Sequence, residues 1–173
     1  MCSSDLHGSD PGASVLHFGC HGRAQVPVLT SRLQLGLEQQ VEVATMLAQA
    51  RRATGAASGG LVVLASCFTD VAGADYDEAL TLATAFLSAG AAGVVAARWQ
   101  VEEVATAIFM AVFHDYLNGE YPHPAQALRA AQRWMLDPHR RVPDGLPGVL
   151  SDEAASPALA EPMAWAGFTY QGQ

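Results

Sequence analysis

The sequence contains no lysine, and it has a single asparagine, Asn118, and a single isoleucine, Ile108. Its 9 basic residues are therefore all arginines, and they are outnumbered by 17 acidic residues, which gives a formal net charge of −8. Binding to a nucleic-acid backbone requires clustered cations that neutralise phosphates. Because the arginine pairs at 51–52 and 140–141 stand apart, we do not expect nucleic acid as the main partner.

Long hydrophobic runs and paired cysteine motifs are also absent. The longest nearly apolar stretch, residues 82–99, is interrupted by Gly90 and Gly93, so the run of roughly 18 apolar residues that a membrane span needs is missing. Residues 1–11 are mostly polar and lack the apolar core of a secretory signal. The three cysteines have no C-x-x-C spacing, which favours a reducing compartment over a disulfide framework. We therefore expect a cytoplasmic protein.

The length of 173 residues is that of one domain, which at this size buries about 70% of the surface of the unfolded chain. The opening hexapeptide MCSSDL resembles the translation of one reading frame of a common sequencing-library adapter. We therefore expect residues 1–13 to be a disordered or artefactual N-terminus and residues 14–173 to form the domain.

Buried strands alternate with helices along the rest of the chain. Apolar or alternating runs predict strands, and apolar residues at helical spacing between start and stop residues predict helices. The predicted strands are 14–20, 32–37, 60–66, 93–98 and 164–170, and the predicted helices are 41–53, 77–89, 102–117 and 124–136. Residues 137–162, with five of the 9 prolines, are predicted to form a long loop. This order predicts an α/β fold whose mostly parallel sheet carries helices on both faces.

Two residues that can act together in catalysis follow two of the buried strands. His21 follows the first in a predicted turn with Gly22, and Cys67 follows strand 60–66. Reactive groups in such sheets collect beyond the carboxyl ends of the strands, and a neighbouring imidazole activates a thiol and protonates the leaving group. The pair therefore predicts a Cys-His dyad. The backbone N–H groups of Gly22 and Cys67 would form its oxyanion hole, where one donor is typically worth about 3 kcal/mol.

Simpler interpretations of these residues remain open. A cysteine at the end of a buried strand is more often a small core hydrophobe than a nucleophile. Cys20 adjoins His21, but successive strand residues face opposite sides of a sheet, which favours a core position for Cys20. His17 has the parity of His21 but lies deeper in the strand, and it is predicted to be a core histidine. The same geometry argues against a zinc site formed by Cys20, His21 and Cys67, which also supply fewer than four ligands.

Acidic residues cluster directly after Cys67, at positions Asp70, Asp75, Asp77 and Glu78. These carboxylates would pair with a basic side chain at the P1 position of a peptide substrate, and Asp70 is the first candidate. Asp77 and Glu78 also begin a predicted helix, where acidic residues stabilise the N-terminal end of the dipole without touching a ligand. The sequence is consistent with both interpretations.

Five sequence blocks in a fixed order carry a resemblance to a known family. They are HFGCHG at 17–22, LASCFT at 64–69, AFLSAGA at 85–91, ARWQV at 97–101 and WAGF at 165–168. Over residues 15–172 the chain resembles the CHAT domains, bacterial caspase-like modules usually found behind tetratricopeptide repeats. The resemblance implies a three-layer, caspase-haemoglobinase-like α/β fold with His21 and Cys67 as the dyad and no cofactor. The separation of 46 positions from His21 to Cys67 agrees with the roughly 50 that separate the two residues in caspases.

The resemblance also bears on substrate and partners. Relatives of the clostripain and separase type prefer basic P1 residues. Trp99 corresponds to a family tryptophan that would form one wall of the pocket for the P1 side chain. A role as a core aromatic explains Trp99 as well. Glu103 matches an acidic family position near Trp99, and a helix start explains it equally well. The expected partners are a protein or peptide substrate and a tetratricopeptide-repeat region or regulatory protein, with no direct contact to nucleic acid or membrane.

CHAT domains usually have further segments before the histidine strand. The chain is therefore expected to be the C-terminal catalytic part of a longer protein, with an exposed sheet edge. The leading prediction is a caspase-like cysteine endopeptidase that prefers a basic P1 residue. The alternatives are a catalytically inactive caspase-like signalling module and a different thiol hydrolase on a flavodoxin-like sheet. A separation between the Cys67 sulfur and the His21 ring far beyond about 7 Å would favour the inactive module.

Overall fold

The computed structural model describes residues 15–19, 21–23, 32–34, 40–45, 48, 59–65 and 77–172. The chain divides into two compact units, one formed by residues 1–100 with 171–173 and the other by residues 101–170. The predicted domain boundary at residue 14 lies outside the described residues.

The described strands form two sheets. In chain order they are β1 (Val15–Phe18), β2 (His21–Arg23), β3 (Arg32–Gln34), β4 (Gln40–Glu42), β5 (Gly59–Leu64), β6 (Ala91–Ala97) and β7 (Phe168–Gly172). One sheet has the order β1-β5-β6-β7, and β5 pairs in parallel with both β1 and β6. Among the described strands, β1 has β5 as its only neighbour and so forms an edge.

The second sheet is antiparallel and has the order β2-β3-β4. The predicted turn at His21 and Gly22 is wrong, because both residues are extended and Gly22 lies opposite Leu33 of β3. The strand predicted over 14–20 is also too long, since β1 ends at Phe18. The chain therefore leaves one sheet and enters another within three residues, a change that the local apolar pattern does not show.

The central strand β5 is buried on both faces. Residues 61–64 are each at most 6% exposed, which confirms that their uninterrupted apolar run marks a parallel strand covered on both sides. On one side Val62 belongs to a cluster that includes Val43 and Phe86 from the helical segments. The mostly parallel sheet flanked by helices confirms the predicted fold class, an α/β three-layer sandwich.

The helix predicted over 41–53 begins later than expected. Val41 and Glu42 end β4, and the described helical residues of this segment are 43–45 and 48. Val41 lies opposite Leu33, so sheet pairing takes precedence there over the helical spacing of the following residues. Val43 then starts the helical segment and is completely buried.

Helix α1 (Asp77–Ser88) agrees closely with the predicted helix 77–89. It is followed by Gly90, whose φ of 105° is a conformation that favours glycine. The Gly59 N–H donates a hydrogen bond of 3.0 Å to the Gly90 carbonyl oxygen, and a Cβ at residue 59 would clash with that oxygen. Glycine at 59 therefore allows the start of β5 to approach the turn before β6.

The second unit is mainly helical. Helices α2 (Glu103–Asn118) and α3 (Pro124–Leu136) confirm the two predicted helices, the second of them at both ends. The long loop predicted over 137–162 is wrong, because it contains α4 (Gly148–Ala154) and 3-10 helices at Pro157–Ala160 and Pro162–Ala164. Pro157 and Pro162 begin their helices, a position where a missing N–H costs nothing.

The last strand begins four residues later than predicted. Ala164 still belongs to a 3-10 helix, and the indole N–H of Trp165 donates a hydrogen bond of 3.3 Å to the carbonyl oxygen of Ala160. This contact holds the chain in a turn until β7 starts at Phe168. In the described part of the chain, no helix combines the length and hydropathy needed to cross a membrane.

Candidate active site

The ends of β1 and β5 lie side by side at one edge of the parallel sheet. Phe18 is in register with Leu64, and the next N–H along β5, that of Ala65, donates a hydrogen bond of 3.0 Å to the Phe18 carbonyl oxygen. The pairing therefore continues to the last residue of β1. The carboxyl ends of β1 and β5 lie at the same edge of the sheet, which is where the reactive groups of α/β sheets are usually found.

His21 is the first residue of β2 and occupies a defined register in the antiparallel sheet. It lies directly opposite Gln34 of β3, which in turn lies opposite Gln40 of β4. Directly opposed residues share a face of an antiparallel sheet, so these three positions form one row across the three strands. Gly22 starts the next row, on the opposite face.

The polar face of this sheet carries two cross-strand side-chain contacts. Gln40 Nε2 donates a hydrogen bond of 3.1 Å to Gln34 Oε1, and Arg32 forms a 3.1 Å ion pair with Glu42. The sequence alone does not predict the glutamine pair. Alternation in strand 32–37 does place Gln34 on the polar face with Arg32, but its position opposite His21 depends on the pairing of strands that are distant in sequence.

Several predicted site residues lie outside the described residues: Cys67, Asp70, Asp75 and Cys20. The distance between Cys67 and His21 therefore stays a prediction, and so does the oxyanion hole formed by Gly22 and Cys67. β1 ends at Phe18 and β2 begins at His21, so Cys20 lies between two described strands in the sequence, and its core position stays a prediction.

His17 lies in β1 opposite the completely buried Val63. Its own side chain is half-buried, and a Cβ added at Gly19 would lie 3.8 Å from its Nε2. His17 is thus the last residue but one of β1, in a strand that belongs to a different sheet from the strand of His21.

Asp77 and Glu78 are the first two residues of α1. Their backbone position agrees with the interpretation that they stabilise a helix start. A role of Asp77 in binding a basic P1 side chain stays a prediction, and the same holds for Asp70.

Trp99 lies two residues after the end of β6, the third parallel strand, and it is half-buried. Glu102 and Glu103 lie at the start of α2, at the positive end of the helix dipole. The two carboxylate oxygens of Glu102 accept hydrogen bonds from the N–H groups of Val104 at 3.0 Å and Ala105 at 2.8 Å. Glu102 is therefore the N-cap, a position where Ser, Thr, Asp and Asn are more usual.

Shifted pKa values among the described residues belong to the second unit. Burial lowers the pKa of His114, and burial together with Glu120 and Asp115 raises the pKa of Tyr116. A hydrogen bond to Glu120 raises the pKa of Tyr121. No group of three or more His, Cys, Asp or Glu side chains that could hold a metal ion occurs within the described ranges.

Comparison with known protein families gives a match over almost the whole chain. The family model described as CHAT domain matches residues 3–173. No curated protein matches the sequence.

Proposed function

Because this chain belongs to the CHAT-domain family, which is related to the caspase-like peptidases, we propose that it is a cysteine endopeptidase with Cys67 as nucleophile and His21 as general base. The proposed compartment is the cytoplasm, where thiols stay reduced. The proposed partners are a protein substrate and an adjoining repeat region or regulatory protein.

In this proposal the Cys67 thiolate attacks the scissile carbonyl carbon, and the carbonyl π electrons move to the oxygen. The N–H groups of Gly22 and Cys67 donate hydrogen bonds to that oxyanion. His21, protonated by the thiol, gives its proton to the leaving amine as the C–N bond breaks, which leaves a thioester. Water then attacks the thioester, His21 accepts its proton, and the thiolate leaves from the acid product.

The observation that carries this proposal is the register at the end of the parallel sheet. Phe18 and Leu64 lie opposite each other, and His21 and Cys67 each follow this pair by three residues. Neighbouring strands are about 4.8 Å apart, and each further residue adds at most about 3.8 Å. His21 and Cys67 therefore follow the same sheet edge after equal numbers of residues, which supports their assignment as a dyad.

A preference for a basic P1 residue is part of the proposal. Asp70 follows the nucleophile by three residues, whereas Asp77 starts a helix. A hydrogen bond between charged partners is worth about 1.5–3 kcal/mol, so Asp70→Asn should reduce kcat/KM for an Arg-P1 peptide by about tenfold or more. Asp152→Asn, at an exposed position of α4, is the matched control and should leave the ratio between Arg-P1 and Leu-P1 peptides unchanged.

A positional-scanning library of fluorogenic peptides tests the function. We expect cleavage after Arg or Lys by the wild type, a fall to background in Cys67→Ala, and wild-type rates in Cys20→Ala. Cleavage that survives in Cys67→Ala would rule out the mechanism. Absence of cleavage by the wild type, together with binding to a repeat-containing partner, would instead favour the inactive signalling module.

A further inference from the structure

We propose that the turn between α2 and α3 binds an arginine side chain of a partner protein against the rings of Tyr116 and Tyr121, with the Glu120 carboxylate as its counter-ion. We call the surface formed by these three residues the aromatic corner. It belongs entirely to the second unit, and the proposal does not depend on peptidase activity. The juxtaposition that carries it is the edge contact of the two rings beside an exposed acidic residue.

The two tyrosine rings form the walls of the aromatic corner. Their centroids are 5.7 Å apart and their planes are inclined at 61°, so the rings meet edge to face. A cation that lies over one ring and beside the other can be within about 6 Å of both centroids, the range in which aromatic faces attract it. Both tyrosines are half-buried, which suits side chains that pack an apolar body on the protein and keep a polar end in water.

The backbone of the turn fixes the two rings relative to each other. The Tyr116 carbonyl oxygen accepts hydrogen bonds from the N–H groups of Gly119 at 3.3 Å and Tyr121 at 2.9 Å. At the other end of the turn, His123 Nδ1 accepts the N–H of Ala125 at 3.3 Å and caps α3. A surface that is already ordered before binding loses less conformational entropy when a ligand arrives.

Carboxylates outnumber cations in the described surroundings of the two rings. Burial raises the pKa of Tyr116, and the charges of three nearby carboxylates add to this effect. They belong to Glu120, Asp115 and Asp137. A hydrogen bond to Glu120 raises the pKa of Tyr121, and the charge of Arg133 acts in the opposite direction. Within the described ranges none of the three carboxylates forms an ion pair, so the aromatic corner has a negative excess that complements a cationic partner.

Arginine is the basic side chain that suits this surface best. Its planar guanidinium stacks on an aromatic face, and its N–H groups can donate to a carboxylate at the same time. The lysine ammonium is a compact, strongly hydrated charge without such a plane. The segment that carries the arginine would lie along the turn, whose exposed residues are Asn118, Gly119, Glu120, Pro122 and His123.

Titration with defined peptides tests the proposal. The protein is the full chain with Cys67→Ala, which prevents cleavage of the probe, and with ¹³C-labelled rings in its 4 tyrosines. The probes are the blocked tripeptide Gly-Arg-Gly and the same peptide with citrulline, which has the shape of arginine without its charge. We expect the arginine peptide to shift the Tyr116 and Tyr121 resonances saturably, with a Kd on the order of 1–10 mM, and the citrulline peptide to shift neither.

Loss of one labelled resonance in Tyr116→Phe and in Tyr121→Phe assigns the two signals. Absence of a shift at both, or equal shifts from the two peptides, would overturn the proposal. Peptide cleavage is not a readout here, so a failure of this test leaves the proposed function untouched, and an inactive chain that binds the arginine peptide would reject the proposed function alone.

Variants of the aromatic corner locate the contact. Tyr121→Leu removes one ring and should weaken binding about fivefold, whereas Tyr121→Phe keeps the ring and should bind within about twofold of the parent. Glu120→Gln removes the counter-ion and should weaken binding by about two- to fivefold. Arg133→Gln removes a competing cation and should strengthen binding. The matched control is Glu153→Gln, at an exposed position of α4, which should bind as the parent does.

The comparison between Glu120→Gln and Glu153→Gln decides the result even if Tyr121→Leu fails to fold. Both changes remove one exposed carboxylate of the second unit, but only the first removes it from the aromatic corner. Equal affinities in these two variants would overturn the proposal, and a loss confined to Glu120→Gln would support it.

Discussion

The backbone N–H of Ala65 donates a hydrogen bond of 3.0 Å to the carbonyl oxygen of Phe18. This bond lies where the neighbouring parallel strands β1 and β5 end, and it keeps their last residues in register. The chain segments after β1 and after β5 therefore both start at the same edge of the parallel sheet. The proposed dyad depends on this edge, because the chain segment after one strand carries His21 and the segment after the other carries Cys67.

The N-cap of α2 provides the first prediction. Glu102 satisfies two backbone N–H groups with its two carboxylate oxygens, so Glu102→Ala should lower the free energy of unfolding by about 1 kcal/mol. Glu103 lies in the first turn and contributes only through the helix dipole, so Glu103→Ala should cost about 0.5 kcal/mol or less. Urea denaturation of both variants measures the difference. An equal loss in both would show that the two carboxylates act only through their charge.

The packing of Phe109 on Phe168 provides the second prediction. Their ring centroids are 4.6 Å apart with planes at 10°, and both side chains are at most 1% exposed. Phe109→Ala would leave a cavity in the second unit and should cost about 3–5 kcal/mol. Val149→Ala, at a position 78% exposed, should change the free energy of unfolding by less than about 0.5 kcal/mol. A cost below about 1 kcal/mol for Phe109→Ala would contradict the described packing.

Adjacent arginines after α3 provide the third prediction. The Arg140 guanidinium donates hydrogen bonds to the carbonyl oxygens of Met135 at 2.7 Å and Ser156 at 3.1 Å. It also lies 5.5 Å from the ring centroid of Trp134. A lysine cannot reproduce this planar fork, so Arg140→Lys should lower the melting temperature by several degrees, on the order of the effect of 1 kcal/mol.

Arg141 is the matched control for this change. Its ion pair with Asp144 is fully on the surface, with side chains 84% and 90% exposed, and such pairs contribute little. Arg141→Lys should therefore have the same melting temperature as the wild type in differential scanning calorimetry. If both lysine variants melted at the same temperature, the described contacts of Arg140 would not contribute to stability.

The half-buried histidine of α2, His114, provides the fourth prediction, on pH dependence. Burial lowers the pKa of His114 below its ordinary value of 6.5, so the unfolded chain binds this proton more readily than the folded protein. The contribution of His114 to stability is therefore complete above about pH 6.5 and decreases as the pH falls through the window between the unfolded and folded pKa values.

Denaturant titrations at pH 7.5 and 5.5 measure this effect. The loss of stability between the two pH values should be smaller in His114→Gln than in the wild type. His139→Gln, at an exposed position of the same unit, should retain the loss seen in the wild type. An identical pH dependence in the wild type and His114→Gln would exclude His114 as the cause.

The parts of the fold that sequence predicts well are those whose signals are local. Helix α3 begins at Pro124 and ends at Leu136, just before Asp137 and Pro138, and both boundaries follow from the restricted backbone of proline. The uninterrupted apolar run of β5 predicts a strand that is buried on both faces, because such runs are typical of parallel strands covered on both sides. The sequence does not predict the two 3-10 helices, although Pro157 and Pro162 start them, because several prolines close together also indicate a loop.

The parts that sequence does not predict depend on pairing between distant segments. His21 is extended because it pairs with Gln34 of β3, 13 residues further along the chain. Nothing in the residues around His21 specifies this partner. The row with Gln34 and Gln40 depends on the same register. The proposed dyad depends instead on the equal numbers of residues by which His21 and Cys67 follow the ends of two strands. These numbers can be counted in the sequence.

Covalent labelling tests the central claim most directly. A peptidyl acyloxymethyl ketone alkylates the thiolate of a cysteine peptidase that is activated by its histidine, and intact mass with peptide mapping locates the adduct. The account predicts a single adduct on Cys67, none on Cys2 or Cys20, and strongly slowed labelling in His21→Ala. Absence of an adduct on Cys67, or labelling at the same rate in His21→Ala, would contradict it.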